Sequence, residues 1–413
     1  MVKKNIVILG AGFGGLRSAI QLSKNLKKLS LQNDYELIIA DKHDFHTFTP
    51  LLYEIATTSK EIADYLKLKS LTTYPLFELL KNKTITILND EVKRLDLKQN
   101  IVHLKSHKIN FDYLVLALGA ETNYFDIPGL KENSLSLKTF DEAIAIRNAI
   151  YFEIENGKTD LKIAIGGGGS TGVELAGEIK EWVCRHEKEK KQTCDAQVMI
   201  IEKNETILPG FNLKIIERTN HRLETLDIKI INGQAVSKVV EKTLVLENGR
   251  LIPFNILIWT GGVKTSPLIN NLPIKKDARG RIEMNADLKI SNRVYAIGDI
   301  VCAYHPKTKK PLPGVAHAAI SQANIVAKNI IREIKQENSL LKNYKPKNYP
   351  YIIPIGGKFA IAKIGPIVIS GFWAWILKGL VELNYLLSIM PFWKAVKIWL
   401  KGLKIFIQND RLG

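Results

Sequence analysis

Asn5-Ile6-Val7-Ile8-Leu9-Gly10-Ala11-Gly12-Phe13-Gly14-Gly15-Leu16 is the stretch whose reading settles the fold. Asn5 to Leu9 is a short apolar run of β-forming residues, and apolar residues recur at helical spacing from Leu16 to Leu26. The glycines therefore sit between a buried strand and a helix. Gly10, Gly12 and Gly15 keep the spacing G-x-G-x-x-G. A phosphate-binding turn needs them for a tight bend, for close backbone approach to a pyrophosphate, and for packing of helix on strand. The helix N-terminus adds free amides and the positive end of the helix dipole. A second apolar run, Glu36 to Ala40, ends at Asp41, a carboxylate placed to bond a ribose. Asp41 stands further downstream than the usual ~20 residues, and the segment from Lys27 to Asp34 accounts for the delay.

The pattern occurs twice. Lys162 to Ile165 leads into Gly167, Gly169 and Gly172, a helix starts near Thr171, and Gln197 to Ile201 ends at Glu202. Tyr113 to Leu118 closes on Gly119, much as Ile256 to Thr260 closes on Gly261. Two similar modules indicate an internal duplication. Further short strands are expected at Thr84 to Leu88 and Ile101 to Leu104; Val294 to Ile297 is a strand running into Gly298-Asp299, and Ala316 to Glu333 reads as a helix. The fold class is therefore α/β, with two Rossmann-like dinucleotide-binding domains. Two such domains imply two dinucleotides, a tightly held flavin and an exchanging nicotinamide, because hydride transfer needs a donor and an acceptor held together. Glu202 speaks for NADH, since a carboxylate bonds a free 2′-hydroxyl and repels the phosphate of NADPH; Lys203 beside it pulls the other way.

At 413 residues the chain exceeds a single hydrophobic core. Hydrophobic residues at 46% and charged residues at 24% are globular proportions, so disorder is excluded. The net charge of +18 favours anionic partners. No helix-turn-helix, zinc pattern or aromatic RNA-binding signature is visible, and no nucleic-acid partner is expected. Cys184, Cys194 and Cys302 are too few for a disulfide framework and show no close metal-ligand pair, so no metal is expected and a reducing compartment fits best. Cys184 and Cys194, in or after the helix of the second module, read as structural or surface thiols. Met1-Val2-Lys3-Lys4 runs straight into the first strand with no room for a signal peptide, which points to a cytosolic face.

Ile367 to Phe406 differs in character. Trp373, Trp375, Trp393 and Trp399 are interleaved with Lys378, Lys394, Lys397, Lys401 and Lys404. Lys378, Glu382 and Pro391 interrupt the apolar runs too early for a clean span of ~20 apolar residues. The expectation is an amphipathic helical region lying in a membrane interface, its lysines reaching anionic headgroups.

With these motifs in place the chain resembles the type II (alternative, non-proton-pumping) NADH:quinone oxidoreductases, which are flavoproteins with two dinucleotide-binding domains. The resemblance runs nearly end to end. Beside the glycine loops it rests on Asp41-Lys42, HTFTPLLYEIAT at 46–57, YLVLALGA at 113–120, TGVELAG at 171–177, IWTGGV at 258–263 and YAIGD at 295–299. It implies FAD in the first module, lined by Gly10, Gly12, Phe13, Gly14, Gly15, Asp41, Lys42, Val92, Ala117, Gly119, Asp299 and Ala316. Asp299, a carboxylate at a strand end, is independently placed to bond ribityl hydroxyls. NADH would lie on Gly167, Gly169, Gly172 and Glu202. Glu174, in the first turn of the second module's helix, would sit where nicotinamide meets flavin, orienting the nicotinamide or relaying a proton.

The implied organisation is an FAD-binding domain in two parts, 1–120 and 287–340, an NADH-binding domain at 121–286, and a membrane-associating region at 341–413. The implied acceptor is a quinone, menaquinone or ubiquinone. In PGVAHAAISQA at 313–323, His317 and Ser321 replace glutamines of the family and Gln322 remains; these three would line the quinone entrance. The expected location is peripheral, on the cytoplasmic face of the inner (cell) membrane, with homodimerisation open. A soluble NADH-dependent reductase with another acceptor and a redox-sensing, apoptosis-factor-like flavoprotein are the alternatives.

Overall fold

The computed structural model describes residues 3–158, 160–189, 193–277, 279–304, 315–346 and 349–409. Its longer helices, with two short ones used below, are α1 (Phe13–Lys28), α2 (Leu52–Ala56), α3 (Tyr65–Thr72), α4 (Phe140–Glu155), α5 (Ser170–Glu189), α6 (Leu213–Thr225), α7 (Ala316–Ile334), α8 (Phe372–Ile389) and α9 (Phe392–Asn409). The chain forms two compact units. One comprises Met1–Thr47, Tyr74–Glu121 and Val263–Tyr349; the other comprises Phe48–Thr73, Thr122–Gly262 and Pro350–Gly413.

The first unit is built on a six-stranded sheet in the order Lys289–Ser291, Val294–Ala296, Tyr113–Leu116, Lys4–Leu9, Tyr35–Asp41, Thr86–Asn89. All pairings but the first are parallel. The strands are near-continuous apolar runs because both faces are covered. A three-stranded antiparallel sheet supplies Leu95, Val102, Leu104 and Ile109 to one face, packed on Val7, Leu9, Leu114 and Leu116. α1 and α7 pack together, close enough that a Cβ at Gly14 would stand 3.6 Å from Ala319 of α7. α1 begins at Phe13, three residues earlier than its apolar periodicity begins, because glycines carry no periodic signal.

The second unit repeats the plan. Its parallel sheet runs Leu135–Ser136, Ile256–Trp259, Lys162–Gly166, Gln197–Ile201, Ile228–Ile231. Another three-stranded antiparallel sheet packs Val236, Leu244, Leu246 and Ile252 onto Ala164, Met199, Ile201 and Leu257. A hairpin, Tyr351–Pro354 with Ala360–Ile364, and a third strand, Ile367–Gly371, carry α8 and α9.

Cys184 and Cys194, expected as separate thiols, are joined by a disulfide. Their Cα atoms lie 4.9 Å apart, within bridging distance, because at Cys194 the chain has returned beside α5. Lys180 reinforces that return, donating to the Ala196 carbonyl at 2.7 Å.

The tail also differs in detail from its sequence reading. By length and composition Phe372–Ile389 is long and apolar enough to cross a membrane. The charges that interrupt it are turned inward: Lys378 pairs with Glu54 and with Glu382. Trp375 is buried, and Trp399 donates its indole N–H to the Gly379 carbonyl at 2.8 Å, whereas Trp373 and Trp393 are exposed. Asn409 ties α9 to the segment after α2, donating to the Thr57 carbonyl and accepting from the Ser59 amide at 3.0 Å.

Candidate active site

In the first unit the register aligns Leu9 with Ala40 and with Leu116, and Leu116 with Ala296. Four neighbouring strands thus end together, bringing Gly10, Asp41, Ala117 and Gly298-Asp299 to one crevice at the carboxyl edge, where open α/β sheets bind ligands. Gly10 has φ +98°, and a Cβ there would lie 2.3 Å from the Ala117 carbonyl oxygen; one at Gly15 would lie 1.8 Å from that of Gly10. These two glycines are dictated by the protein's own packing. Gly12, the N-cap of α1, would point a Cβ into open space. Nothing among the described residues requires it to be glycine, so its smallness fits a group lying over the helix N-terminus.

Asp41 does two jobs at once. Its carboxylate accepts the Ala11 amide at 2.6 Å and the His43 amide at 2.8 Å. His46 lies fully buried beneath the loop, its Nδ1 2.8 Å from the Ala11 carbonyl oxygen, its ring edge-on to Phe13 and stacked near Tyr74. Burial pushes its pKa down to about 4, outweighing the carbonyl contact, so it is a neutral donor that braces the glycine turn. Lys42 is exposed, Val92 is half-buried against the core, and Ala316 opens α7. Gly119 adopts φ +68° beside open space.

Gln322 and His317, both on α7, diverge. Gln322 is buried and accepts the Gly298 amide at 2.7 Å, holding the turn that presents Asp299. His317 is exposed and stacks on Tyr349, with ring centroids 6.3 Å apart. Ser321 is half-buried. Pro313 and Gly314 lie outside the described residues.

The second unit has the same construction. Gly166 is level with Ile201 and with Trp259, so Gly167, Glu202 and Gly261 meet at the strand ends. A Cβ at Gly167 would strike Gly261 at 2.5 Å and one at Gly172 the Gly167 carbonyl at 2.0 Å, while one at Gly169 would meet nothing. The Glu202 carboxylate accepts the Gly168 amide at 2.7 Å and the Asn204 amide at 2.9 Å, as Asp41 does in the first unit. Lys203 is drawn aside over the Phe125 ring, 5.4 Å from its centroid.

Around Glu174, named from the 171–177 motif, this unit holds a charged cluster that a motif search does not find. Glu174 on α5 is half-buried, and desolvation of its carboxyl is the main cause raising its pKa to about 8; Glu54 adds to the rise and Lys378 opposes it. Lys378 of α8 is clamped between Glu54 of α2 and Glu382, the latter at 2.8 Å, and lies 5.4 Å from the centroid of the Tyr53 ring. Tyr53 donates to Glu54 at 3.0 Å. Burial works against the ammonium of Lys378, but Glu382 and Glu54 outweigh it and hold its pKa above the ordinary value. The second oxygen of Glu54, Oε2, has no donor among the described residues. Tyr53 and Glu54 belong to the 46–57 motif; nothing in the sequence pairs them with a tail lysine.

Two sheets whose strand ends each cradle a glycine turn and a carboxylate define a two-dinucleotide oxidoreductase. The chain belongs to the pyridine nucleotide-disulphide oxidoreductase family, whose pattern matches residues 4–323. It is 29% identical to the type II NADH:quinone oxidoreductase Ndh of Mycobacterium tuberculosis, over 94% of this chain and 85% of that protein. It is 27% identical to the demethylphylloquinone reductase NdbB of Synechocystis, over 83% of each. Its fold is that of NDH2 from Plasmodium falciparum, solved in complex with NADH, with a TM-score of 0.83, 19% identity and coverage of 100% of this chain and 99% of that one. No cysteine precedes Cys184, so the close thiol pair of disulfide reductases, expected after the first loop, has no counterpart here.

Proposed function

We propose that this protein is a type II NADH:quinone oxidoreductase, which oxidises NADH through FAD and passes the electrons to a membrane quinone without pumping protons. The observation that carries the reading is the pair of strand-end crevices in which the middle glycine of each G-x-G-x-x-G turn, Gly12 or Gly169, faces open space while the first and third are packed against backbone. Each fits a pyrophosphate. FAD, when bound, supplies the two-electron chemistry that links a hydride donor to a quinone.

The chain's own residues bind, orient and hold protons. The first crevice would hold FAD, with the α1 N-terminus facing the phosphates, Asp41 and Asp299 accepting from ribose and ribityl hydroxyls, and Phe13, Ala117, Gly119, Val92, Lys42 and Ala316 around it. The second would hold NADH, with Glu202 accepting from the adenine ribose. Withdrawal of Lys203 onto Phe125 favours NADH over NADPH, because no cation is left facing a 2′-phosphate from that position. Glu174, protonated at neutral pH, can give or take a proton near the physiological range. Lys378 supplies the positive charge that keeps Glu54 and Glu382 from repelling one another. His317, Ser321 and Gln322 would flank the quinone entrance, with Gln322 acting through the Gly298 turn.

α8 packs one side on the Ala360 and Ala362 strand and leaves Phe372, Trp373, Leu380 and Leu387 outward. That arrangement supports a helix lying in the interface of the cell membrane, peripheral and on the cytoplasmic face where NADH is found. Menaquinone and ubiquinone both suit a polar, hydrogen-bonding entrance, and a homodimer is compatible with the reading.

The test is to purify the protein with membranes, record the flavin spectrum, and follow bleaching by NADH and recovery on adding menaquinone or ubiquinone analogues. Bleaching by NADH, slower bleaching by NADPH and rapid recovery with quinone are expected. Failure of NADH to bleach the flavin, or of any quinone to restore it, overturns the reading.

A further inference from the structure

α3 lies in the second unit, outside the tryptophan-rich tail, and nothing in its sequence marks it as an interaction surface. Asp64 caps it, accepting the Lys67 amide at 2.8 Å, and Leu68, Leu71 and Thr72 face inward. Its other side carries Tyr65, Lys67 and Leu66, the last 74% exposed. A single outward leucine is ordinary. What surrounds this one is not.

Leu66 and Ser70 are four residues apart and share one stripe of α3. Ser70 accepts from Lys401 of α9 at 2.7 Å, and the helices approach closely at Gly402, where a Cβ would stand 3.7 Å from Leu71. Lys401 lies on the outward face of α9 with Trp393, Lys397, Leu400 and Lys404, residues recurring at helical spacing; Trp393 is 80% exposed. The stripe bearing Leu66 therefore continues, through Ser70 and Lys401, into the outward face of α9. Neither Tyr65–Thr72 nor Phe392–Asn409 contains an aspartate or glutamate, while together they carry Lys67, Lys69, Lys394, Lys397, Lys401 and Lys404.

We propose that α3 is a membrane-contact element, seated with α9 on an anionic lipid surface through Leu66 and the lysines around it. The chemistry selects lipid over a second copy of the chain: a self-contact would set Lys67, Lys397, Lys401 and Lys404 against the same lysines, and the carboxylates beside them are already engaged, Asp64 in capping α3 and Asp141 in accepting from Tyr65. An anionic bilayer accepts both the apolar side chains and the ammonium groups. The proposal rests on the membrane reading of the tail, and it adds that the catalytic body itself touches the bilayer.

The test uses the full-length holoprotein with phosphatidylcholine–phosphatidylglycerol vesicles carrying a photoreactive acyl chain, followed by mass spectrometry of labelled peptides. Labelling of both 65–72 and 392–404 is expected, weakened in vesicles of phosphatidylcholine alone. Labelling of 392–404 without 65–72 overturns the role of α3 and leaves the tail anchor standing. Labelling of neither overturns both. Leu66→Glu should lower vesicle partitioning about tenfold, the effect of withdrawing one leucine and adding an anion, with flavin content and turnover with a soluble acceptor unchanged. Unchanged partitioning, or a concentration-dependent dimer without lipid that Leu66→Glu abolishes, overturns the proposal.

Discussion

The Asp41 carboxylate accepts the amide of Ala11 at 2.6 Å, tying the end of one strand to the glycine turn that follows its neighbour. Glu202 repeats the arrangement with Gly168 at 2.7 Å. Each acid shapes its turn before any ligand arrives, so its removal should cost more than one ribose contact. Asp41→Ala should release flavin on gel filtration, while Glu202→Ala should retain flavin and raise KM for NADH. Hydrogen bonds to charged groups contribute about 1.5–3 kcal/mol, so changes of roughly 10- to 100-fold are expected in flavin Kd and in KM respectively.

Lys378 is the cation between Glu54 and Glu382. Lys378→Met leaves those carboxylates buried without it, which costs on the order of 3–5 kcal/mol and should appear as a lower urea midpoint. Adding Glu54→Gln should recover part of the loss. No rescue would mean that the cluster does not act as a unit.

Glu174 predicts a pH dependence of definite sign. Its folded pKa stands at about 8 against an ordinary 4.5, so the folded state holds a proton that the unfolded chain has released. That contribution to stability is complete below pH 4.5 and is lost as pH rises through about 8. Glu174→Gln should flatten the fall of Tm between about pH 5 and pH 9 and remove a kinetic limb near its upper end. Because Lys378 opposes the rise, Lys378→Met should move that limb to still higher pH. Identical pH profiles for wild type and Glu174→Gln would remove Glu174 from the chemistry.

The disulfide closes a loop between residues ten apart. Loop-closure entropy assigns such a bridge about 3 kcal/mol. Reductant should lower Tm of the wild type and leave the Cys184→Ser/Cys194→Ser double variant unmoved; equal effects on both would place the change at the buried Cys302 or elsewhere.

What was legible in the sequence was local. Gly10 to Gly15, Asp41, Gly167 to Gly172 and Glu202 follow from the spacing of a strand, turn and helix, and register then brings their strand ends together. What was not legible joins distant residues. Lys378 and Glu54 are 324 positions apart, and from sequence the lysine reads as a break in an apolar run. His46 carries no periodic signal and finds its role only once Ala11 lies over it. Trp375 and Trp399 resemble Trp373 and Trp393 in sequence, because a helix apolar on most sides does not announce which side packs. Cys184 and Cys194 needed the return of the chain beside α5 to be recognised as a pair.

The glycines allow a sharper separation of folding from binding. A methyl at Gly15 would overlap the Gly10 carbonyl, and one at Gly172 the Gly167 carbonyl, so Gly15→Ala and Gly172→Ala force backbone apart and should destabilise their own units. Gly12 and Gly169 face open space, and Gly12 has φ −68°, which alanine adopts freely. Gly12→Ala should therefore leave the unfolding free energy of the flavin-free chain within about 0.5 kcal/mol of wild type while weakening flavin binding, because the methyl occupies the approach of the pyrophosphate. Gly169→Ala should keep the flavin and raise KM for NADH. If Gly12→Ala binds flavin as tightly as wild type, the pyrophosphate does not pass over the N-terminus of α1, and the assignment of the first crevice to FAD fails with it.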